Sequence, residues 1–182
     1  MNRSWIWLFV GMLPLFGFSL SSEKITAEEC KMTFDPGRGW EVANLKQQLF
    51  EEDDEDMPSD KSVEKAMSGF DMFDCHNDEK NLNRQMGIFL YKDKTLNIPE
   101  MDYYGVRFQE EGNGQKFEVG GVEWTSILKE DEPDGYEDGY IYQLSAKIRK
   151  VNILIFAFYP NNMDEQREDA EIKALLASFK SL

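Results

Sequence analysis

Few side chains in this 182-residue chain combine a chemically reactive type with a useful spacing. The single histidine, His76, follows Cys75 directly and lies two residues before Asp78. Adjacent residues seldom point at each other, so Cys75 and His76 are not expected to form a nucleophile–base pair. A zinc site draws on three or four ligands of these types, and one histidine leaves this group short. We therefore predict no catalytic residue, no metal and no cofactor.

The acidic segment of residues 130–138 holds residue types that bind calcium, because oxygen ligands are all that this ion requires. An EF-hand is excluded, since placing Gly135 at position six puts Ile141 at position twelve, where a glutamate is needed. A solvated turn is the simpler interpretation. A looser calcium site stays open as an alternative, and its ligands would be Asp131, Asp134 and Asp138.

Tyrosines lie within and directly after the same acidic segment. Carboxylates beside aromatic rings suit a basic protein surface, because the charges steer the approach and the rings supply contact area. The segment is therefore the predicted binding site of the chain. It consists of Asp131, Asp134, Tyr136, Asp138 and Tyr140.

The charge balance of the whole chain limits its partners. Asp and Glu number 35 against 20 Lys and Arg, which gives a net charge of -15. Binding to nucleic acid needs clustered basic residues that release counterions from phosphates, so we expect no nucleic-acid partner. The same charge disfavours anionic membrane surfaces. A protein with a basic surface is the partner that the charge favours, although solubility alone explains the charge equally well.

The N-terminus has the pattern of a secretory signal peptide. Arg3 precedes an apolar stretch at residues 5–20, which is shorter than the roughly 20 apolar residues of a spanning helix. Ser19 and Ser21 provide the small side chains that a cleavage site requires. We therefore expect residues 1–22 to be removed on export to the periplasm or the extracellular space, leaving no stable membrane anchor. An uncleaved N-terminal anchor is the alternative.

Export changes the expected state of the two cysteines, because thiols tend to pair in an oxidising compartment. We predict a Cys30–Cys75 disulfide within a single domain of residues 23–182. Closing a loop of this length would stabilise the fold by roughly 4 kcal/mol through the entropy of the unfolded chain.

In the first half, hydrophobic spacing predicts a strand and two helices. Residues 25–34 alternate weakly and indicate a strand that ends in a Pro-Gly turn. Acidic residues dominate positions 51–60, which we interpret as a loop because like charges repel. A second helix is predicted from 60 to 70, followed by a polar loop from 74 to 84. The first helix is predicted from apolar residues at three- and four-residue steps, namely Val42, Leu45, Leu49 and Phe50.

In the second half the apolar period changes to two, which predicts a run of about six strands. Asn113–Gly114 between alternating segments predicts a hairpin, because both turn positions require positive φ. Residues 140–148 alternate and predict a half-buried strand, whereas residues 151–159 are apolar on both faces and predict a central one. An apolar stripe with helical spacing predicts a closing helix at Met163–Lys180, capped by Asn162. The stripe consists of Ile172, Leu175, Leu176 and Phe179.

This order of elements predicts an α+β fold, with helices flanking a mostly antiparallel sheet of about six to seven strands. The chain also combines three features that occur together in a known superfamily. They are a strand hairpin, a helix with Ser-Phe in its last turn and an early proline–glycine turn. They lie at Glu137–Tyr142, Asn152–Tyr159, Glu171–Phe179, Pro36–Gly37 and Gly39–Trp40. The set resembles the Mog1/PsbP-like superfamily of small exported domains. The resemblance implies an α/β/α sandwich that binds proteins, and it implies no functional residue because the superfamily has no shared active site.

These observations favour a non-catalytic protein-binding or accessory domain that acts outside the cytoplasm. One alternative is an immunity or inhibitor protein, whose acidic surface would cover a basic toxin or enzyme. The other is a carrier of a small ligand or lipid, which would have an apolar pocket between sheet and helix. We do not expect an enzyme, because no pair of carboxylates lies in an apolar setting that would raise the pKa of one of them.

Overall fold

The computed structural model of the chain describes residues 24–45, 68–77, 84–92, 102–103, 106–107, 114–129, 139–160 and 164–182. The predicted signal peptide and the predicted acidic loop at 51–60 lie outside these ranges. Within the ranges, no helix is both long enough and apolar enough to span a membrane.

The described ranges contain twelve strands and one helix. In chain order the strands are β1 (Ile25–Ala27), β2 (Met32–Phe34), β3 (Glu41–Asn44), β4 (Phe70–Asn77), β5 (Arg84–Lys92), β6 (Asp102–Tyr103), β7 (Val106–Arg107), β8 (Gln115–Val119), β9 (Val122–Lys129), β10 (Gly139–Ile148), β11 (Val151–Pro160) and β12 (Lys180–Ser181). The helix, α1, spans Glu165–Ser178 and directly precedes β12.

Seven of the strands form one antiparallel sheet in the spatial order β3-β4-β5-β11-β10-β9-β8. Strand β11 lies at its centre, paired with β5 on one side and with β10 on the other. The prediction of a central strand at residues 151–159 is therefore confirmed, as expected for a strand that is apolar on both faces. A smaller sheet in the order β1-β2-β12 joins the first described strands to the last.

One face of the large sheet is covered by α1 and the small sheet. Phe34 of β2 stacks on Phe179 at the end of α1 with ring centres 5.2 Å apart, and Trp124 of β9 lies 5.7 Å from the same ring. These contacts place helix, small sheet and large sheet around one core. The apolar stripe predicted for the closing helix is buried in this core, and its members are Ile172, Leu175, Leu176 and Phe179.

The opposite face of the central strands is also excluded from solvent. Phe89 of β5 and Phe156 of β11 point to this face, and their rings meet edge to face at 5.8 Å. Phe70 and Leu154 lie on the same face and are buried as well. Because successive side chains of a strand point to opposite faces, the central strands of the large sheet are buried on both sides.

The predicted first helix is wrong at its start. Residues 41–44 form β3, in which Val42 lies opposite Cys75 of β4. Helical spacing over so few residues is a weak signal, and pairing with a neighbouring strand prevails over it. Leu49 and Phe50, the last apolar residues of the predicted helix, lie outside the described ranges.

The region around β4 also differs from the prediction. Residues 74–77 form the end of β4 rather than the start of a loop, because Cys75 and Asn77 are buried while Asp74 and His76 point to the other face. Phe70, predicted as the last residue of the second helix, is the first residue of β4. The earlier residues of that predicted helix lie outside the described ranges, apart from its end at Ser68 and Gly69.

The coarse α+β class is confirmed, but with one helix in the described ranges the helices are fewer than predicted. The closing helix is also shorter than Met163–Lys180. Asp164, not Asn162, caps it, and the Asp164 carboxylate accepts hydrogen bonds from two backbone N–H groups at 3.0 and 3.1 Å. The helix ends at Ser178, because the chain then extends into β12.

The predicted disulfide is absent from the structure, in which Cys30 and Cys75 are both buried free thiols. The Cys30 N–H donates to the Asp71 carboxylate at 2.8 Å, and the Cys30 thiol lies 3.4 Å from the Gly69 carbonyl oxygen. Both contacts place Cys30 beside the start of β4. Cys75 lies four residues beyond Asp71 on that strand, about 13 Å away at the usual rise, whereas a disulfide requires Cα atoms about 4–7 Å apart.

We predict that neither thiol of the native protein is alkylated by iodoacetamide at pH 8, while both react in denaturant without reductant. Burial, with a contribution from the Asp71 carboxylate, raises the pKa of Cys30 to about 12. Burial likewise raises the pKa of Cys75 well above its usual range, and the thiolate is the reactive form. Mass spectrometry of the alkylated protein checks this, with Lys150→Cys as an exposed positive control. Two thiols that stay unmodified in denaturant would indicate a disulfide instead.

Candidate functional site

The loop of residues 35–40, here the β2–β3 loop, takes the chain from the small sheet to the edge of the large one. Gly37 and Gly39 have φ of 98° and 82°, in the left-handed region that glycine adopts without steric cost. The Gly37 N–H donates to the Asp35 carboxylate at 2.8 Å, which closes the turn. The Asp35 N–H donates to the Ser178 hydroxyl at 2.8 Å, so the loop is fastened to the last turn of α1.

Between the β2–β3 loop and α1 lies an open space of about 430 Å³, here the loop–helix cleft. Its volume is within the range of about 300–1,000 Å³ that is usual for ligand clefts. The loop supplies one wall, and Trp40 and Leu175, both buried, lie at its base. The other wall is α1, which contributes Arg167, Glu171, Ala174 and Ser178.

A buried arginine lies behind the cleft and connects its walls to the sheet. Arg84, the first residue of β5, is 1% exposed, and its guanidinium donates to the Asn77 side-chain oxygen at 2.6 Å and to the Glu171 carboxylate. The same guanidinium lies 5.5 Å from the centre of the Trp40 ring, within the distance of a cation–π contact. One positive charge thus holds partners on β4, on α1 and on the β2–β3 loop.

Glu171 is shared between two guanidinium groups. Besides its bond from Arg84, it accepts a hydrogen bond from Arg167 Nε at 3.2 Å, one helical turn earlier on α1. A carboxylate between two guanidiniums has its lone pairs occupied and its orientation set. The side chains of the helical wall are therefore held in place before any ligand arrives.

A second polar contact ties the start of α1 to the sheet. The Tyr140 hydroxyl of β10 donates to the carboxyl group of Glu168, which is 3% exposed. Burial raises the pKa of Glu168 to about 7, and the charges of Asp169 and Glu171 add to the effect. Glu168 is therefore partly protonated near neutral pH, unlike an ordinary glutamate.

Tyrosines surround this contact on the sheet side. The Tyr142 ring meets the Tyr140 ring edge to face at 5.5 Å and the Tyr159 ring at 6.5 Å. Burial, with the charge of Glu171, raises the pKa of the Tyr159 hydroxyl above its usual range. These rings pack against the core that α1 and the sheet share.

The structure describes one of the five residues that the sequence grouped as a binding site. Tyr140 is half-buried, and its hydroxyl donates to the Glu168 carboxyl group of α1. The remaining members, Asp131, Asp134, Tyr136 and Asp138, lie outside the described ranges, as does the calcium interpretation that rested on three of them. Within the described ranges, no cluster of three or more His, Cys, Asp or Glu side chains is placed to hold a metal ion.

Two other sequence-based interpretations can be compared with the geometry. Cys75 and His76 point to opposite faces of β4, as strand alternation requires, so they do not face each other. The space between α1 and the sheet, where a ligand carrier would have its apolar pocket, is occupied by the buried core of the described residues. The cleft lies instead at the side of α1 and has charged walls.

Arg84, Glu168 and Glu171 were not predicted as site residues, although the spacing along the helix carried a signal for the two glutamates. Glu168 precedes Ile172 by four residues, and Glu171 precedes Leu175 by four, so both continue the buried stripe of α1. An acidic residue at a buried position requires a partner, which is what Tyr140 and Arg84 supply. Arg84 itself carried no such signal, because it stood at the end of a predicted polar loop.

Comparisons of the chain with known protein families, with curated proteins and with solved structures find no match. The resemblance to the Mog1/PsbP-like superfamily therefore stays a prediction.

We predict that Arg84→Met lowers the free energy of unfolding by about 3–5 kcal/mol, because it leaves Glu171 and Asn77 without their buried cation. The double variant Arg84→Met/Glu171→Leu should recover part of this loss, since it removes both charges. Arg149→Met, at an exposed arginine in the β10–β11 turn, is the matched control. Urea unfolding measures all three. A loss no larger for Arg84→Met than for Arg149→Met would contradict the role given to Arg84.

The raised pKa of Glu168 predicts a loss of stability as the pH rises from about 4.5 to 7. The native carboxyl binds its proton more tightly than the unfolded one, so the native state is favoured at low pH and this advantage is lost as the carboxyl ionises. Between pH 5 and pH 8 Glu168→Gln should show a decrease smaller than the parent's by roughly 3 kcal/mol. Urea unfolding at the two pH values checks this, with exposed Glu118→Gln as control. Equal decreases in parent and Glu168→Gln would refute the prediction.

Proposed function

We propose that this chain is an exported, non-catalytic domain that binds a protein partner at the loop–helix cleft. The observation that carries the proposal is the fixed geometry of this cleft. The β2–β3 loop is fastened to α1 through Ser178, and Glu171 is held by Arg84 and Arg167. Side chains that are already ordered lose little entropy when a partner binds, which favours recognition.

The chemistry of the cleft supports binding over catalysis. Ser178 supplies the hydroxyl group that lines the cleft. This hydroxyl donates to the Leu175 carbonyl oxygen at 2.6 Å and accepts from the Asp35 N–H. It is therefore engaged in closing the last turn of α1, and among the described residues it bonds to backbone groups rather than to a side-chain base. Arginine and tryptophan, which line the cleft, are instead the residue types that contribute most often to binding energy at protein interfaces.

Export is part of the proposal because of the signal-peptide pattern at residues 1–22. The state of the thiols is compatible with an oxidising compartment, since Cys30 and Cys75 are buried and their raised pKa values keep them protonated. The net charge of -15 adds a preference for a partner with basic groups around the cleft, because opposite charges speed association.

The proposal predicts that a bulky side chain in the cleft abolishes partner binding. Ala174 is an exposed residue of α1 that lines the cleft, so Ala174→Trp should fill the space at little cost to stability. Ala170 is also exposed and lies one turn earlier outside the cleft, which makes Ala170→Trp the matched control. Parent and variants are immobilised and exposed to periplasmic or secreted extract of the source organism at low salt.

We expect proteins that are retained by the parent and by Ala170→Trp but lost with Ala174→Trp, identified by mass spectrometry. Circular dichroism melts establish that both variants fold. Retention of the same proteins by all three would place the partner surface elsewhere and contradict the proposal.

A further inference from the structure

The side chains that line the loop–helix cleft carry balanced charges, although the chain as a whole carries -15. Two arginines, Arg38 and Arg167, line the cleft together with two acids, Asp35 and Glu171. The buried Arg84 lies behind this lining and binds Glu171. The cleft therefore lacks the excess of negative charge that the chain as a whole carries.

Both acidic side chains are already engaged. Glu171 accepts hydrogen bonds from two of the arginines, and the Asp35 carboxylate accepts one from the Gly37 N–H. Arg38 is in a different position, because it is exposed on the β2–β3 loop and forms no ion pair within the described ranges. The cleft thus offers a guanidinium on the loop wall opposite the Arg167 guanidinium of the helical wall.

A guanidinium binds oxyanions through paired N–H donors, so carboxylates and phosphates, which each offer two acceptor oxygens, are its preferred ligands. The field of the chain distinguishes between these two, because a phosphate dianion experiences twice the long-range repulsion of a carboxylate. Ala174, exposed beside the nearly buried Trp40 and Leu175 at the base of the cleft, offers apolar contact area to the carbon atoms next to the charged group. A carboxylate on a peptide meets both conditions.

We propose that the loop–helix cleft binds a peptide carboxylate between Arg38 and Arg167, with the adjoining part of the peptide over Trp40 and Ala174. This inference rests on the proposed function, since it names the chemistry that the same cleft recognises. The carboxylate is either the C-terminus of the partner or an acidic side chain, and the guanidinium contacts are the same in both cases.

The test uses three N-acetylated tetrapeptide libraries, passed over the immobilised protein and quantified by mass spectrometry. The first ends in free carboxylates, the second is amidated and lacks acidic residues, and the third is amidated with one Glu in each peptide. We expect retention of the first or the third library to exceed that of the second by about tenfold, the factor for one charge-assisted contact. Which of the two is retained identifies the source of the carboxylate.

Two arginine variants link this retention to the cleft. Arg38→Ala should reduce it about tenfold, whereas Arg149→Ala, at an exposed arginine far from the loop in sequence, should leave it unchanged. Equal retention of all three libraries, retention of none, or an unchanged result with Arg38→Ala would each overturn the carboxylate assignment. Displacement by inorganic phosphate at a lower concentration than by acetate would overturn it in favour of a phosphate ligand.

The outcome is separable from that of the proposed function. If extract proteins are lost with Ala174→Trp while the libraries show no preference for carboxylates, the cleft binds its partner by another chemistry. If extract proteins are unaffected by Ala174→Trp, the cleft is not the partner surface, and the proposed function fails whatever the libraries show.

Discussion

The Arg84 guanidinium lies almost out of contact with solvent between the large sheet, α1 and the β2–β3 loop, and each of them supplies one of its partners. A buried cation is stable only while its partners remain, so the positions of these three parts depend on one another. Burial of the apolar stripe of α1 gives the larger stabilisation, but hydrophobic contact is non-directional. The hydrogen bonds from Arg84 to Asn77 and Glu171 require a particular distance and angle, so they fix the position of the helix relative to the sheet. The loop–helix cleft is a consequence of this fixed arrangement.

Helix α1 has two functions in the fold, and its polar residues divide between them. On the side facing the sheet, the buried Glu168 contacts Tyr140, and the partly exposed Glu171, at the edge of the cleft, contacts Arg84. Polar contacts of this kind add less stability than apolar packing, but they set the rotation of the helix about its axis. That rotation brings Arg167, Ala174 and Ser178 to the side facing the loop.

Charge is distributed unevenly between the surface and the cleft. The chain is strongly acidic, yet the cleft is lined by two arginines as well as two acids, and one of these acids, Glu171, is bound by Arg84 and Arg167. An acidic surface would steer a basic partner over long distances, while an arginine on the β2–β3 loop would act only after contact. The proposed preference for a basic partner thus concerns its approach over long distances, and the proposed carboxylate site concerns the contact that follows.

The sequence alone determined the elements whose hydrophobic period extends over many residues, such as the central strand at 151–159 and the buried stripe of α1, because each turn or residue pair repeats the same signal. It was insufficient for β3 and the end of β4, where few residues carry the pattern and pairing with a neighbouring strand decides. The separation of Cys30 from Cys75 also depends on strand positions that no count of cysteines contains. The candidate site required the tertiary structure for the same reason: Trp40, Arg84 and Glu171 are far apart in the chain, and only the packing of helix and loop against the sheet brings them together.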